Sequence, residues 1–286
     1  MSANIDSTTS IFTPVNSFTD GIEGPACDDH GNLYAVNFAK QGTIGVVTPD
    51  GVGYVFVELP AGSIGNGIRF DSHGHMLIAD YTGHNILKVN MRSRKIDVLA
   101  HDATMNQPND ICITEDDVVF ASDPDWTTEK GQVWRIKPDG QMALVALDMG
   151  TTNGIEVAPD EGTLYVNESV QRRIWAFDLK DGELSNKRLL IEFPDHGLDG
   201  MRCDVEGRLY VTRYGKGSIA VLSPKGEVLT EIQLHGKKPS NLCFGGEDGC
   251  TVYVTLADQG NVETFRVGVP GREWVLNQRL QKGGWD

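Results

Sequence analysis

Six oxygen-bearing side chains recur along this chain at nearly constant intervals. They are separated by 43, 43, 44, 46 and 41 positions, and they are Glu23, Asn66, Asn109, Asn153, Asp199 and Ser240. Two carboxylates held close together repel each other unless one of them binds a proton or a cation lies between them. If the fold brings these residues together, their oxygen atoms therefore suit a hard divalent cation.

Each of these leading residues opens a repeat with the same sequence of features. Eleven to thirteen positions later comes an aromatic residue or Ile inside an apolar run: Tyr34, Ile78, Phe120, Tyr165, Tyr210 and Tyr253. A further apolar run ends in a turn, as at residues 49–51 and 138–140, where Pro fixes φ and Gly accepts positive φ. The repeat length is that of a four-stranded propeller blade, roughly 40–45 residues.

The repeats predict an all-β fold, one six-bladed β-propeller with four-stranded blades around a central channel. We expect a single domain over residues 1–286, with repeats starting near 23, 66, 109, 153, 199 and 240. The innermost strand of each blade runs along the channel, so the six leading residues are expected to converge at one height on the axis. Residues 10–15 and 273–276 are the candidates for the strand that closes the ring.

The donor set predicts which cation would bind. Carboxylate and amide oxygens suit Ca²⁺, with Mg²⁺ and Mn²⁺ as alternatives. Zn²⁺ is a further alternative, although no Cys or His, the ligands that zinc prefers, shares the register of the leading residues.

Composition limits the partners and the compartment. The 286 residues carry a formal net charge of −15, so no nucleic-acid partner is expected, and no run of 18 apolar residues predicts a membrane span. The first ten residues lack the basic region and apolar run of a signal peptide. Five cysteines, an odd number, are expected to be small buried residues. We therefore expect a cytoplasmic protein, a monomer or weak homo-oligomer, with a small-molecule substrate and no membrane partner.

Several motifs, in order, resemble those of the gluconolactonase/regucalcin (senescence marker protein) family. They are Glu-Gly-Pro at 23–25, Pro-Asn-Asp at 108–110, Asn-Gly-Ile at 153–155, Asp-Gly-Met at 199–201 and Phe-Gly-Gly at 244–246. The resemblance spans about residues 20–265 and implies a six-bladed propeller with one catalytic divalent cation on its axis. It implies Glu23, Asn153 and Asp199 as ligands of that cation, with Asn109 as a fourth ligand or a substrate contact.

The resemblance also implies an activity, the hydrolysis of a small, polar, sugar-derived lactone. The cation would act as a Lewis acid on the lactone carbonyl oxygen and stabilise the oxyanion that forms. Asp199 would be both a ligand and the general base that activates water. In the alternative, Asp199 is a ligand only, and a water held by the cation attacks.

Six further residues are candidates for substrate binding: Asn66, Gln107, Asp123, Trp126, His196 and Tyr214. Gln107 stands where many members of that family have an arginine that contacts substrate, so a neutral donor replaces a charged one. Asp123 and Trp126 follow the second strand of the third repeat and are expected at the channel rim. His196 precedes Asp199 in a loop and could relay protons, and Tyr214 closes the second strand of the fifth repeat.

Two alternatives to a lactonase remain open. The same metal site would serve a phosphotriesterase or esterase, as in more distant relatives of that family. A propeller is also often a binding platform, so a non-catalytic, metal-stabilised scaffold is the other alternative. The clustering of carboxylates at the axis favours an enzyme.

Overall fold

The computed structural model describes residues 6–278, and these residues confirm the predicted six-bladed β-propeller. They form 24 strands and one helix in this order: β1 (Asp6–Ile11), β2 (Phe18–Cys27), β3 (Leu33–Phe38), β4 (Thr43–Val47), β5 (Gly53–Glu58), β6 (Gly65–Phe70), β7 (Met76–Asp80), β8 (Asn85–Val89), β9 (Ile96–His101), β10 (Ile111–Ile113), β11 (Val119–Asp125), β12 (Lys130–Ile136), β13 (Met142–Met149), β14 (Thr152–Val157), β15 (Thr163–Glu168), β16 (Arg173–Lys180), β17 (Glu183–Glu192), β18 (Gly197–Cys203), β19 (Leu209–Tyr214), β20 (Ser218–Leu222), β21 (Val228–Gln233), β22 (Pro239–Gly245), β23 (Thr251–Leu256), β24 (Asn261–Arg266) and α1 (Arg272–Asn277).

Each blade is an antiparallel sheet of four strands. From the innermost strand outwards, blades one to six are β2-β3-β4-β5, β6-β7-β8-β9, β10-β11-β12-β13, β14-β15-β16-β17, β18-β19-β20-β21 and β22-β23-β24-β1. Neighbouring inner strands contact each other around the whole ring, including β22 with β2. The inner strands therefore enclose one central channel.

The ring is closed by the N-terminal strand. β1 pairs with β24, with Ser10 opposite Thr264 and Ile11 opposite Glu263, and so completes blade six. The candidate at residues 10–15 is thus right only for its first two positions, because β1 begins earlier and ends at Ile11. Of the ten N-terminal residues that argued against a signal peptide, the first five lie outside the described residues.

The other closure candidate, residues 273–276, was wrong. This segment lies in α1, whose buried residues are Arg272, Glu273 and Asn277. Strand alternation would turn Val275 to the same side as Glu273, yet Val275 is 46% exposed. Asn277 Nδ2 donates to the Cys27 carbonyl oxygen and Arg272 Nη1 to that of Ile113. The helix therefore lies across the far ends of the inner strands, where helical geometry turns its polar side chains inward.

Apolar side chains pack between blades. Each of the buried apolar clusters in the described chain joins two neighbouring blades, as Val36, Ile68 and Phe70 do for blades one and two. Burial of such a side chain contributes roughly 1.5–3 kcal/mol. The second strands, such as β7, are buried along their length, as their apolar runs predict.

Aspartates stabilise the first hairpin turn of three blades. In blade one, Asp28 Oδ1 accepts hydrogen bonds from the backbone N–H groups of His30 and Asn32. Asp71 and Asp204 do the same five positions after the leading residues of blades two and five. This side-chain to backbone pairing is the Asx turn, and it fixes where the inner strand ends.

The prediction of unpaired, buried cysteines is confirmed, since Cys27, Cys112, Cys203, Cys243 and Cys250 are all free and buried. Within residues 6–278, no helix has both the length and the apolar character needed to cross a membrane.

Candidate active site on the propeller axis

The six leading residues all line one cavity of about 590 Å³ at the channel mouth. Five of them lie in inner strands, and Asn109 lies two positions before the start of β10. Five are buried, and Asp199 is partly exposed to the cavity. The structure thus brings the predicted metal ligands Glu23, Asn109, Asn153 and Asp199 together.

β-Bulges explain why one inner strand presents side chains to the channel at two depths. The strand pairing shifts register between Glu23 and Ala26 in blade one, and between Leu198 and Met201 in blade five. A bulge adds one residue and interrupts the alternation of side chains. Both Asp199 and Arg202, three positions apart, can therefore face the channel interior.

Glycines that follow the leading residues let the inner strands approach closely. A Cβ at Gly24 would lie 1.9 Å from the Asn66 carbonyl oxygen, and one at Gly200 would lie 2.0 Å from Asn241 Cγ. Both distances are shorter than any real separation between non-bonded heavy atoms, so a larger residue would not fit at either position. The motif of a polar residue followed by Gly is therefore a packing requirement of the narrow channel.

Three amide oxygens point into this region without a hydrogen-bond partner. They are the Oδ1 atoms of Asn66, Asn109 and Asn153, all buried. Asn153 Nδ2 donates to Ser169 Oγ at 3.0 Å, and the Ser169 hydroxyl donates to the Leu198 carbonyl oxygen. This chain of hydrogen bonds fixes which end of the Asn153 amide faces the cavity. Buried polar atoms rarely stay unpaired, so three unpaired oxygens in one cavity indicate a ligand.

The two carboxylates of the site lie next to each other. Glu23 Oε2 accepts hydrogen bonds from Asn241 Nδ2 at 2.8 Å and from the Gly24 N–H at 2.5 Å. Burial and the nearby Asp110 carboxylate raise the pKa of Glu23 to about 7. Burial and the Glu23 carboxylate hold the pKa of Asp199 well above its usual value. Each carboxylate therefore resists ionisation while the other is charged and no cation is bound.

Beneath the cavity lies a buried charged cluster with equal numbers of cations and anions. Its members are Arg69, Arg202, Arg272, Asp110, Glu156 and Glu273. Three positive charges match three negative charges, so this cluster does not neutralise Glu23 and Asp199. A divalent cation would neutralise those two carboxylates.

The donor set fits a hard divalent cation. Two carboxylates and three unpaired amide oxygens offer only oxygen, which Ca²⁺, Mg²⁺ and Mn²⁺ prefer. Ser240 differs from the other leading residues, because its hydroxyl is bonded to the Ile22 carbonyl oxygen at 2.7 Å and to Thr255 Oγ1 at 2.8 Å. Asn66, predicted as a substrate contact, presents its oxygen in the same way as Asn109 and Asn153.

One residue from each blade surrounds the cavity, at or just after the end of the second strand. We call these six residues the rim: Gln41, Tyr81, Trp126, Val170, Tyr214 and Ala257. The predicted substrate contacts Trp126 and Tyr214 thus do line the cavity. Tyr81, Val170 and Ala257 were missed, although each lies 15 to 17 positions after its leading residue, as Trp126 and Tyr214 do.

Three other predicted substrate contacts do not line the cavity. Asp123 is fully buried and accepts hydrogen bonds from the Asn106 and Gln107 N–H groups and from two side chains. It turns inward because its carboxylate holds the loop before Asn109. Gln107 is half-buried in that loop, and His196 is exposed beside Gly215.

Further residues beneath the site were missed by the sequence reasoning. Asp110 and Asn241 follow leading residues at the position that Gly occupies elsewhere, and Arg69, Glu156 and Arg202 lie three positions after leading residues. The signal in the sequence that could have identified them is a charged or amide side chain at or beside an inner strand. Their interaction partners, however, lie in other blades, so the spacing of residues in the sequence does not predict the pairs.

A second group of possible metal ligands, Asp28, Asp29 and His30, lies at the first hairpin turn. It shares no residue with the cavity lining. The Asp28 carboxylate there is engaged by the turn N–H groups, by Asn32 Nδ2 and by the Tyr34 hydroxyl. The axial cavity is therefore the better candidate for a catalytic site.

Two solved structures resemble this fold closely. They are the calcium-binding protein regucalcin from Agrobacterium tumefaciens strain C58, with a TM-score of 0.81, 19% identity and coverage of 92% of this chain and 95% of that one, and a gluconolactonase from Xanthomonas campestris, with a TM-score of 0.78, 23% identity and coverage of 91% and 89%. At these identities the likeness shows the shared fold.

Proteins with similar sequences include two lactonases. A gluconolactonase from Zymomonas mobilis is 28% identical over 90% of this chain and 82% of its own length. A 6-deoxy-6-sulfogluconolactonase from Pseudomonas putida is 32% identical, but the match spans only 49% of this chain and 54% of that protein. A family model described as SMP-30/Gluconolactonase/LRE-like region matches residues 21–258, most of the chain. This chain therefore belongs to the SMP-30/gluconolactonase/LRE-like family.

Proposed function

We propose that this protein is a divalent-cation-dependent lactonase that opens a small lactone to its hydroxy acid. One observation carries the proposal: Glu23, Asp199 and three unpaired amide oxygens face one axial cavity. The likeness to the gluconolactonase of Zymomonas mobilis, over 90% of this chain, supports the reaction class.

Glu23, Asn109, Asn153 and Asp199 would hold the cation, and Asn66 offers one more oxygen. When bound, such a cation supplies Lewis-acid polarisation of a carbonyl group. The charged cluster below contributes no net charge, so the negative charge among the leading residues comes from the carboxylates of Glu23 and Asp199. Asn241 holds Glu23 Oε2 and so orients this carboxylate.

Asp199 is the candidate general base. It is the one leading carboxylate that is partly exposed to the cavity, so a water molecule in the cavity can reach one of its oxygens and give it a proton. As water adds to the lactone carbonyl carbon, Asp199 takes the proton that water releases. When the ring C–O bond breaks, the same proton passes to the departing ring oxygen, which becomes the hydroxyl group of the product.

The rim orients the rest of the substrate. Tyr81, Trp126 and Tyr214 supply aromatic surface above the leading residues, which suits the faces of a sugar-derived or similar ring. The same surface would accept an uncharged ester, so esterase activity is the second candidate.

The test is acid release from a panel of aldonolactones, alkyl lactones and aryl esters at constant pH. The protein is measured after chelation and after return of Ca²⁺, Mg²⁺, Mn²⁺ or Zn²⁺, with metal content determined in parallel. We expect lactone hydrolysis that chelation removes and one of these ions restores. Hydrolysis of aryl esters alone would favour the esterase, and full activity in metal-free protein would refute the cation's role.

A further inference from the structure

The cavity combines acidic groups with a largely apolar rim, and no described residue that lines it is basic. From this combination we infer that the substrate is an uncharged lactone that carries an unhydroxylated, apolar substituent, and that lactones with an anionic substituent are excluded. The inference rests on the proposed lactonase function and specifies its substrate class.

The charges that face the cavity are all negative. Among the described lining residues, the ionisable side chains other than tyrosine are Asp20, Glu23 and Asp199, and no Lys, Arg or His is present. A divalent cation would neutralise two of these three carboxylates. A phosphate, sulfonate or carboxylate on the substrate would lose water in the cavity and find no cationic partner there.

The rim presents aromatic and aliphatic surface on nearly every side. Tyr81, Trp126 and Tyr214 line the cavity from blades two, three and five, and their rings supply its aromatic surface. Val170 and Ala257 line the cavity from blades four and six, and Gln41 is the one rim residue whose side chain is neither aromatic nor aliphatic. A substituent without hydroxyl groups would bury its surface here without leaving polar atoms unpaired.

One ammonium group lies just outside the rim. Lys238 Nζ is 5.9 Å from the centre of the Tyr214 ring, and Lys238 is exposed and is not a lining residue. It is the group through which the protein would hold an anionic substituent if the inference were wrong. It therefore provides a direct test.

The experiment uses three δ-lactones that share one ring: D-glucono-1,5-lactone, its 6-deoxy analogue and its 6-phospho analogue. We expect kcat/KM to be about tenfold higher for the 6-deoxy member than for the parent, since one group in an apolar site changes kcat/KM by roughly 10–200-fold. The 6-phospho member should be at least about 100-fold poorer than the parent. Equal or higher kcat/KM for the 6-phospho member would overturn the inference, most clearly if Lys238→Met then removed that activity.

Binding separates this inference from the proposed function. The matching δ-lactams cannot be hydrolysed as the lactones are, and calorimetry gives their affinities for the cation-loaded protein. One outcome is that no lactone is hydrolysed but the affinity of the lactams decreases from 6-deoxy to parent to 6-phospho. This outcome would refute the proposed lactonase function and support the inferred ligand class. Binding in the reverse order, or with equal affinity, would overturn the ligand class whatever the activity.

A variant with an added charge provides the matched control. Val170 is 43% exposed, so a longer side chain fits without disturbing the core. Val170→Lys should raise the ratio of kcat/KM for the 6-phospho over the 6-deoxy lactone by about tenfold relative to Val170→Met. If Val170→Lys and Val170→Met give the same ratio, charge at the rim does not select the substrate.

Discussion

Arg202 reaches across the channel from blade five to Asp110 of blade three, and its Nη1 atom lies 2.8 Å from Asp110 Oδ2. Both side chains are fully buried. Asp110 is also contacted by Asn241 Nδ2 at 3.2 Å, and Asn241 in turn holds Glu23. The ion pair therefore links blades three and five, which flank blade four, and Asn241 connects it to a residue of the candidate metal site.

Arg202→Met should destabilise the protein strongly, because Asp110 would remain as a buried carboxylate without its main partner. We expect a loss of about 3–5 kcal/mol in the free energy of unfolding, measured by urea denaturation at pH 7. The double variant with Asp110→Asn should regain most of this loss. A single variant as stable as the wild type would mean that the pair contributes no net stability.

Metal binding should stabilise the fold more as the pH rises. The folded-state pKa of Glu23 is raised from 4.5 to about 7, so without metal its stabilising contribution is complete below pH 4.5 and is lost as the pH rises through 7. A shift of this size corresponds to roughly 3 kcal/mol. The difference in Tm between Ca²⁺-loaded and chelated protein should therefore grow between pH 5 and pH 8.

Glu23→Gln is the control for this pH dependence. It removes the titrating group, so the chelated protein should lose less stability with rising pH and should gain less from Ca²⁺. A Tm difference independent of pH in the wild type would contradict the assignment of Glu23 to the metal site.

Ser169→Ala should weaken cation binding without touching a ligand. The hydroxyl accepts the hydrogen bond of Asn153 Nδ2, so its removal frees the amide to rotate its oxygen away from the cavity. Loss of such a supporting contact typically costs 10–100-fold in metal affinity. Ser240→Ala is the matched control, because the Ser240 hydroxyl donates to the Ile22 carbonyl oxygen and does not hold a proposed ligand. Equal affinities in calorimetry for Ser169→Ala and wild type would remove this positioning role.

Asp199→Asn should lower kcat by about 100-fold or more while the protein keeps its cation, because the amide still offers an oxygen but cannot accept the proton from water. Metal content and kcat are to be measured on the same sample. Turnover near the wild-type value with metal bound would show that Asp199 is a ligand and not the base.

Asp123→Asn should lower the stability of the protein. The Asp123 carboxylate accepts hydrogen bonds from four donor groups around the loop before Asn109. Its replacement leaves donors unpaired, at roughly 1–3 kcal/mol for each buried group. Trp126→Phe, at the rim, should instead raise KM with little change in stability. The opposite outcome for Asp123→Asn, a higher KM with an unchanged Tm, would restore it as a substrate contact.

The sequence alone determined the number of blades and the register of the leading residues. Both follow from local information, because each repeat places its first strand and its turns at fixed offsets, and ring geometry then brings equivalent positions together. The convergence of Glu23, Asn109, Asn153 and Asp199 on one cavity was predictable for this reason.

Only the tertiary structure decided what surrounds those residues. Arg202 and Asp110 are 92 positions apart in the chain, and no spacing rule selects that pair from the other charges of the inner strands. The same holds for Asp123, which turns away from the rim toward backbone N–H groups. It also holds for residues 273–276, which lie in a helix, while β1 completes blade six. Repeats encode positions along the chain, whereas contacts across the channel depend on which side chains the closed ring brings face to face.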